Sequence, residues 1–261
     1  MHPFGSRTAL IGHTGFVGSN LASQHGYTAH FNSRNIDTIA GQAFDTIVCA
    51  GVSAVKYLAN QQPEADWRGI RRLLDPLSSV TVGRFILIST IDVYSHPANV
   101  TEADPASVEN HAYGRHRLAV EEFVREHFPC SHIIRLPGLF GAGLKKNILF
   151  DLLHRNGLES IQPAGSYQYY AVNHLTRDLL KVLENDIPLL NLATGPLATR
   201  SILERFAPHE EVGSKSGAVG HYDFRSLHAG LWGGSNGYLY DAEQVMADLA
   251  GFFAAGRASL T

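Results

Sequence analysis

The stretch Thr8-Ala9-Leu10-Ile11-Gly12-His13-Thr14-Gly15-Phe16-Val17-Gly18-Ser19-Asn20 decides the fold. An apolar run from Ala9 to Ile11 meets glycines at 12, 15 and 18, and Phe16, Val17, Asn20 and Leu21 follow in a helical rhythm. This reads as strand, tight turn, helix. Glycine admits the positive φ of such a turn and has no Cβ to keep a ligand from the backbone. The unpaired N–H groups and the dipole at the head of the new helix favour a pyrophosphate. A plain glycine turn would show the same spacing. The nucleotide reading is favoured by context: the stretch lies on the first strand, and strand and helix alternate after it.

Working outward, residues 27–31 form a short second strand that runs into Asn32-Ser33-Arg34-Asn35. In a dinucleotide fold the adenosine ribose lies at the end of this strand. An acidic residue there would bind the 2′-hydroxyl of NAD. None is present, and Ser33 and Arg34 offer a hydroxyl and a fixed charge suited to the 2′-phosphate of NADP. Arg34 reads equally as a solvated turn residue. Residues 43–51 are a third strand ending in Ala50 and Gly51, small enough to let an adenine or ribose approach. Across 60–80 a polar start gives way to a helix whose Trp67, Ile70, Leu73, Leu74 and Leu77 share a stripe, a core or subunit face. The fourth strand, 84–90, delivers Ile91, Asp92, Val93 and Tyr94 to the carboxyl end of the sheet, where such sheets bind ligands. Tyr113 and Arg117, one turn apart, open a helix and share a face of it.

A fifth strand spans 131–136 and a glycine-rich loop 137–143. The rhythm then loosens. A helix over 144–156 precedes an extended aromatic stretch over 161–170, and Asn173 is placed to cap a further helix. A sixth strand at 188–192, a short helix at 199–206 and an irregular stretch at 207–237 lead to a closing helix over 241–253. Asp241 and Gln244 stand there in capping-box spacing. The expectation is an α/β chain with a doubly wound parallel sheet. Residues 1–143, completed by 171–192, form the dinucleotide domain; 144–170 and 193–261 form a small C-terminal substrate lobe.

Composition narrows the function. The 261 residues carry a formal charge of −3 with mixed signs, which offers no nucleic-acid or membrane surface. No apolar run is long enough to span a bilayer, and 1–7 lacks a signal peptide's apolar core. Cys49 and Cys130 read as buried small hydrophobes, with no CxxC pairing for a disulfide scaffold or zinc. The 14 histidines form no compact ligand set. A soluble protein of the reducing cytoplasm, without a metal, is expected.

Taken in order, these segments resemble the extended short-chain dehydrogenases/reductases, the NAD-dependent epimerase/dehydratase family that modifies nucleotide sugars. Gly12-x-x-Gly15-x-x-Gly18 matches the family's cofactor loop, Thr90-x-x-Val93-Tyr94 its Ser/Thr segment, and Tyr113-x-x-x-Arg117 falls on its Tyr-x-x-x-Lys segment. Arg135 and Gly138-Leu139-Phe140-Gly141 resemble the stretch after the fifth strand. The resemblance implies a Rossmann fold and NADP, with NAD as the alternative. It implies cofactor contacts from Gly12, Thr14, Gly15, Phe16, Val17 and Gly18, and from Asn32, Ser33, Arg34, Ala50 and Gly51. Ser89, Tyr113, Arg117, Pro137 and Gly138 complete that set. A nucleotide-activated sugar is the implied substrate, and a homodimer through the Trp67 and Phe123 helices the implied assembly.

In the implied chemistry Tyr113 is the acid or base, Thr90 holds the substrate oxygen, and Arg117 replaces the usual lysine as the cation that lowers the phenol's pKa. Arginine keeps the charge but not the shape of lysine. Asp92 reads either as a proton-transfer residue or as a loop-capping aspartate. Ile91 stands where a dehydratase would carry an acid, so dehydration is not expected. The alternatives are a dinucleotide-binding sensor or scaffold without catalysis, and a reductase of a smaller carbonyl compound.

Overall fold

The computed structural model describes residues 4–259. Residues 1–3, the start of the stretch read as lacking a leader, and 260–261 lie outside it. In chain order the first elements are β1 (Thr8–Ile11), α1 (Phe16–Gln24), β2 (Ala29–Phe31), β3 (Ala43–Cys49), α2 (Lys56–Gln61) and α3 (Pro63–Leu77). Then come β4 (Thr81–Thr90), α4 (Ala112–His127), β5 (Ser131–Leu136), β6 (Gly138–Phe140) and α5 (Ile148–His154). The rest are β7 (Ser166–Tyr167), β8 (Tyr169–Ala171), α6 (Leu175–Glu184), β9 (Leu189–Asn191), β10 (Leu197–Ala198), α7 (Thr199–Phe206) and α8 (Ala242–Ala258).

The chain divides into two compact units. The first holds 1–96, 104–136 and 173–191; the second holds 97–103, 137–172 and 192–261. Residues 97–103, 137–143, 171–172 and 192, read from sequence with the dinucleotide domain, thus fall in the second unit. The reason is pairing: β6 bonds to β8 rather than to the main sheet, and Ala98 bridges to Asp223.

The first unit is built on a six-stranded sheet in the order β2-β1-β3-β4-β5-β9. Every neighbouring pair is parallel. Strand order reverses between β1 and β3, which opens a crevice at their carboxyl ends. Among the described residues no strand lies outside β2, and the link from β2 to β3 is too short for another crossover unit. It forms a single 3-10 turn instead, Ile36–Ile39, whose two isoleucines enter the core. Alternate strand residues Ala9, Ile11, Ile47, Cys49, Phe85, Leu87 and Ile133 join the α3 stripe of Ile70, Leu73, Leu74 and Leu77 and the α4 residues Val120 and Val124 in one cluster. The period of two in the strands and of three and four in the helices is what puts them face to face.

The helix read within 60–80 is α3, and it is preceded by α2, a short helix that the sequence reading did not contain. Gln62 closes α2 and leads into Pro63, which opens α3 at a position where its missing N–H costs nothing. Asn173 does not cap α6: it lies in the 3-10 turn Val172–His174, and His174 precedes the helix with no side-chain cap. Cys49 is buried, and loss of solvent pushes its thiol up to about 11; Cys130 is exposed, because it lies in the turn before β5 rather than in a strand. The second unit packs Phe140, Leu149, Leu152, Tyr169, Ile202, Phe206, Leu249 and Phe253 together. In it Asp241 and Gln244 form the expected capping box at the head of α8.

Candidate active site

The first half of the site is written in backbone. Gly12 leaves β1 with φ +86°, and its N–H donates to the Phe31 carbonyl at 2.8 Å. A Cβ on Gly12 would run into the Ala50 carbonyl, and one on Gly18 into the Gly12 carbonyl. Those two glycines therefore let β1, β3 and the head of α1 close on one another. Gly15 is the N-cap of α1 and supplies no side-chain acceptor, and no acidic residue follows in the first turn. The head of α1 thus keeps donors and a positive dipole end for an anion. Thr14 is exposed, Phe16 and Val17 half-buried, and Ala50 and Gly51 follow β3 across the crevice.

At the end of β2 the turn is held by its asparagines. Asn32 N–H donates to Asn35 Oδ1 at 2.7 Å, and Arg34 N–H to Asn32 Oδ1 at 2.8 Å. Ser33 and Arg34 remain exposed at the tip. A dinucleotide fits this half: the glycine cradle suits its pyrophosphate, and the acid-free turn suits a phosphorylated ribose.

The second half is written in side chains. β4 ends at Thr90, whose Oγ1 accepts the Asp92 N–H at 3.2 Å across the 3-10 turn Ile91–Val93. Asn110 Nδ2 donates to the Asp92 carbonyl at 2.8 Å. His111 is the N-cap of α4, its Nδ1 accepting the Gly114 N–H at 3.0 Å. Gly114 lies so close that a Cβ would strike both the Asp92 carbonyl and the Asn110 amide. The first turn of α4 is thereby pressed against the exit of β4. This contact, not sequence proximity, brings Tyr113 to Thr90.

Tyr113 is 6% exposed, and its N–H donates to Asn60 Oδ1 at 2.9 Å. Burial raises its pKa above the usual tyrosine value; Asp92 and Asp66 add to the rise, and Arg117 and Thr90 offset it only in part. This corrects the expectation of a lowered phenol. Arg117 does sit on the face of Tyr113, its guanidinium carbon 4.0 Å from the ring centroid. Its charge, however, is held by Asp66 of α3, through Nη1 at 2.5 Å and Nη2 at 3.0 Å, and Nη2 also donates to the Ser53 carbonyl. His116 adds a third bond to the same carboxylate at 2.8 Å. Burial pushes Asp66 up, but these bonds and charges outweigh it and hold the carboxyl below its usual range. Arg117 is thus a buried structural cation, not one with open Nη groups.

Asp92 is paired as well. Lys56 Nζ at the head of α2 lies 2.9 Å from Asp92 Oδ1. Burial and the Lys56 charge lower the pKa of His111. The Ser89 hydroxyl donates to buried Glu121 at 2.6 Å, and Arg135 grips the same carboxylate at 3.0 and 2.7 Å. Pro137 and Gly138 belong to the second unit, where the Gly138 N–H donates to the Gln168 carbonyl at 3.1 Å.

Sequence reading missed Lys56, Asn60, Asp66 and His111. Only His111 left a signal, a polar residue immediately before the helix. Among the described residues no group of three or more His, Cys, Asp or Glu could hold a metal ion, and no helix is long and apolar enough to cross a membrane.

The family model described as the NAD dependent epimerase/dehydratase family matches residues 9–160, more than half of the chain. No curated protein matches it. The fold is similar to MoeE5 in complex with UDP-glucuronic acid and NAD, at 15% identity and TM-score 0.77, covering 97% of this chain and 100% of that one. It is similar to dTDP-4-dehydrorhamnose reductase from Bacillus anthracis in complex with NADP, at 16% identity and TM-score 0.71, covering 95% and 98%. It is similar also to DesIV, a dTDP-glucose 4,6-dehydratase from Streptomyces venezuelae with NAD and TYD bound, at 15% identity and TM-score 0.72, covering 97% and 98%.

Proposed function

The chain belongs to the NAD dependent epimerase/dehydratase family, and we propose that it is an NADP-dependent reductase or epimerase of a nucleotide-activated sugar. The observation that carries the reading is buried Tyr113 in the first turn of α4, which Gly114 presses against the exit of β4 just after Thr90, on the sheet whose β1 leads into the glycine cradle. Solved structures of the same fold hold NAD, NADP and nucleotide sugars.

When bound, the dinucleotide supplies or accepts a hydride. Thr90 orients a substrate oxygen beside the phenol, and Tyr113 gives that oxygen a proton. Burial raises the phenol's pKa above the ordinary tyrosine value, and in the reduction of a sugar ketone Tyr113 is the acid. Asp92 is the proton-transfer candidate next to a ketone. Ile91 leaves the neighbouring position without an acid, so dehydration is not part of the proposal. Ser33 and Arg34 support the choice of NADP. We further propose a cytoplasmic homodimer joined through α3 and α4, where Trp67 and Phe123 are only partly buried; light scattering on the purified protein tests the dimer.

The experiment is Tyr113→Phe, assayed with NADPH and a dTDP-4-keto-6-deoxy sugar. Turnover is expected to fall by about a hundred- to ten-thousand-fold, with dinucleotide binding retained. Unchanged turnover would sink the assignment. A second reading, a dinucleotide-binding sensor, is favoured by Arg117 being claimed by Asp66. It expects NADP binding in the wild type with no turnover of any keto-sugar.

A further inference from the structure

We propose that His13, in the glycine turn, discriminates at the 2′ position of the adenosine ribose. As an imidazolium it selects the phosphate of NADP; as a neutral ring it accepts from the hydroxyl of NAD. This role presupposes the dinucleotide reading above, and adds to the fixed charge of Arg34 a selector that changes with pH.

The His13 ring is tied to the end of β2, its Nδ1 lying 3.0 Å from the Phe31 carbonyl. The Gly12 N–H donates to the same carbonyl at 2.8 Å, so backbone and side chain of the glycine turn are clamped to one atom. Phe31 immediately precedes Asn32-Ser33-Arg34-Asn35, where a dinucleotide fold places the adenosine ribose. The bond also fixes the tautomer. A carbonyl oxygen only accepts, so Nδ1 carries a hydrogen and Nε2 is the nitrogen left for a ligand. Nε2 makes no hydrogen bond among the described residues. The ring is half-buried, with the His30 ring edge-on at 5.4 Å, so it is held and not loose.

Nε2 thus has two states of opposite sense. Neutral, it accepts from a hydroxyl; protonated, it donates to a phosphate with charge assistance. The elements around His13 supply little negative charge to settle the choice. β2 brings His30, with the Tyr27 phenol ring 6.3 Å behind it. The turn after β2 brings Arg34 and no acid, α1 brings no charged residue, and Ala50 and Gly51 after β3 bring none. Asp37, exposed in the 3-10 turn Ile36–Ile39, is the first carboxylate further along the chain. A dianionic phosphate at the ribose would therefore stabilise the imidazolium, and a ribose hydroxyl would not. Preference for NADP should rise as pH falls, and preference for NAD as it rises.

The test is calorimetric titration of the protein with NADP and with NAD, without sugar, at about pH 6.5 and about pH 8.5. The 2′-phosphate has its second ionisation near pH 6, so it is mainly dianionic across this range. The ratio of NADP to NAD affinity is expected to fall about tenfold from the acid to the alkaline value in wild type, the size of one hydrogen bond to a charged group. His13→Asn keeps a donor in the place of Nδ1 and has nothing in the place of Nε2. Its ratio is expected to be flat, near the alkaline level of wild type. His13→Lys carries a fixed charge, and its ratio is expected to be flat near the acid level. His30→Asn and Arg34→Ala should keep the tenfold change, Arg34→Ala at a lower ratio throughout.

A flat ratio in wild type overturns the proposal, and that measurement needs no variant. A pH change that survives in His13→Asn, or that disappears in His30→Asn, overturns it as well. If His13→Asn does not fold, a ratio that still falls with pH in His13→Lys does the same. A protein that binds neither dinucleotide would overturn the functional reading together with the role of His13. One that binds both with a flat ratio overturns the role of His13 alone, and the turnover of Tyr113→Phe is a separate result.

Discussion

The glycine turn at 12–18 and the tyrosine turn at 111–117 both face the carboxyl end of the same sheet, yet they are assembled by opposite means. The glycine turn needs no side chain: its conformation comes from a positive φ at Gly12, and its tight packing from absent Cβ atoms at Gly12 and Gly18. The tyrosine turn holds its geometry through groups borrowed from elsewhere, Asn60 under the Tyr113 N–H, Asp66 on Arg117 and Lys56 on Asp92. A site made of backbone tolerates almost no added atom. The tyrosine turn shares that limit at Gly114, but the rest of it is made of side-chain pairs and breaks by the loss of a partner.

The largest effect should come from forcing a side chain into the first region. Gly12→Val places a β-branched residue at φ +86° and drives its Cβ into the Ala50 carbonyl, which is backbone and cannot swing away. Backbone strain and overpacking together should cost on the order of 3–5 kcal/mol, enough to abolish NADP binding and to unfold a marginal domain. Calorimetry and NADP titration check both. Gly15→Ala sharpens the contrast. A Cβ there meets only the Gly12 carbonyl at 3.3 Å, so a change below about 1 kcal/mol is expected. A Gly15→Ala protein as damaged as Gly12→Val would mean that the loop is not limited by these contacts.

The second region should break by subtraction. Asp66→Asn leaves the Arg117 guanidinium buried without its carboxylate, and removing one partner of a buried pair costs roughly 3 kcal/mol. Replacing both, as Asp66→Asn with Arg117→Met, should recover part of the loss. A denaturation midpoint for Asp66→Asn within experimental error of wild type would show that the pair holds nothing together.

This contrast explains what could be read from the sequence. A motif such as Gly12-x-x-Gly15-x-x-Gly18 is local, because each glycine answers to backbone a few residues away. The alternation of apolar strands and the stripe on α3 are local too, so the order of strands and helices in the first unit emerged with boundary shifts of a few residues, apart from α2, which carries no such stripe and was missed. Pairings such as Lys56 with Asp92 and Asp66 with Arg117 join residues from different helices and leave no periodic trace. The spacing that puts Arg117 on the Tyr113 face is visible in the chain; the carboxylate that takes up its charge is not. The same blindness hid Glu121, which holds the Ser89 hydroxyl.

The Asp66 pair should also leave a mark on the acid side. Its carboxyl titrates below the usual range in the folded protein, against about 3.9 when unfolded. Its contribution is therefore complete above the unfolded value and is lost as pH falls through the lower, folded one. The stability gap between wild type and Asp66→Asn should be constant near neutrality and narrow only below about pH 4. A gap that closed between pH 6 and 8 would show that the pair does not follow the Asp66 carboxyl.

The smallest effect belongs to the one permanently charged side chain the glycine region is expected to use. Asn32 and Asn35 hold the turn through their own side chains, so the fold of the tip does not depend on Arg34. Arg34→Ala should therefore leave stability within about 0.5 kcal/mol of wild type. It should weaken NADP about tenfold while leaving NAD unchanged, the size of effect given by one exposed guanidinium on a phosphate. Because the contact is exposed, the preference should shrink as salt is raised. Equal losses for NADP and NAD would separate Arg34 from the 2′-phosphate. The choice between the two cofactors would then fall to His13 and to the backbone of the turn.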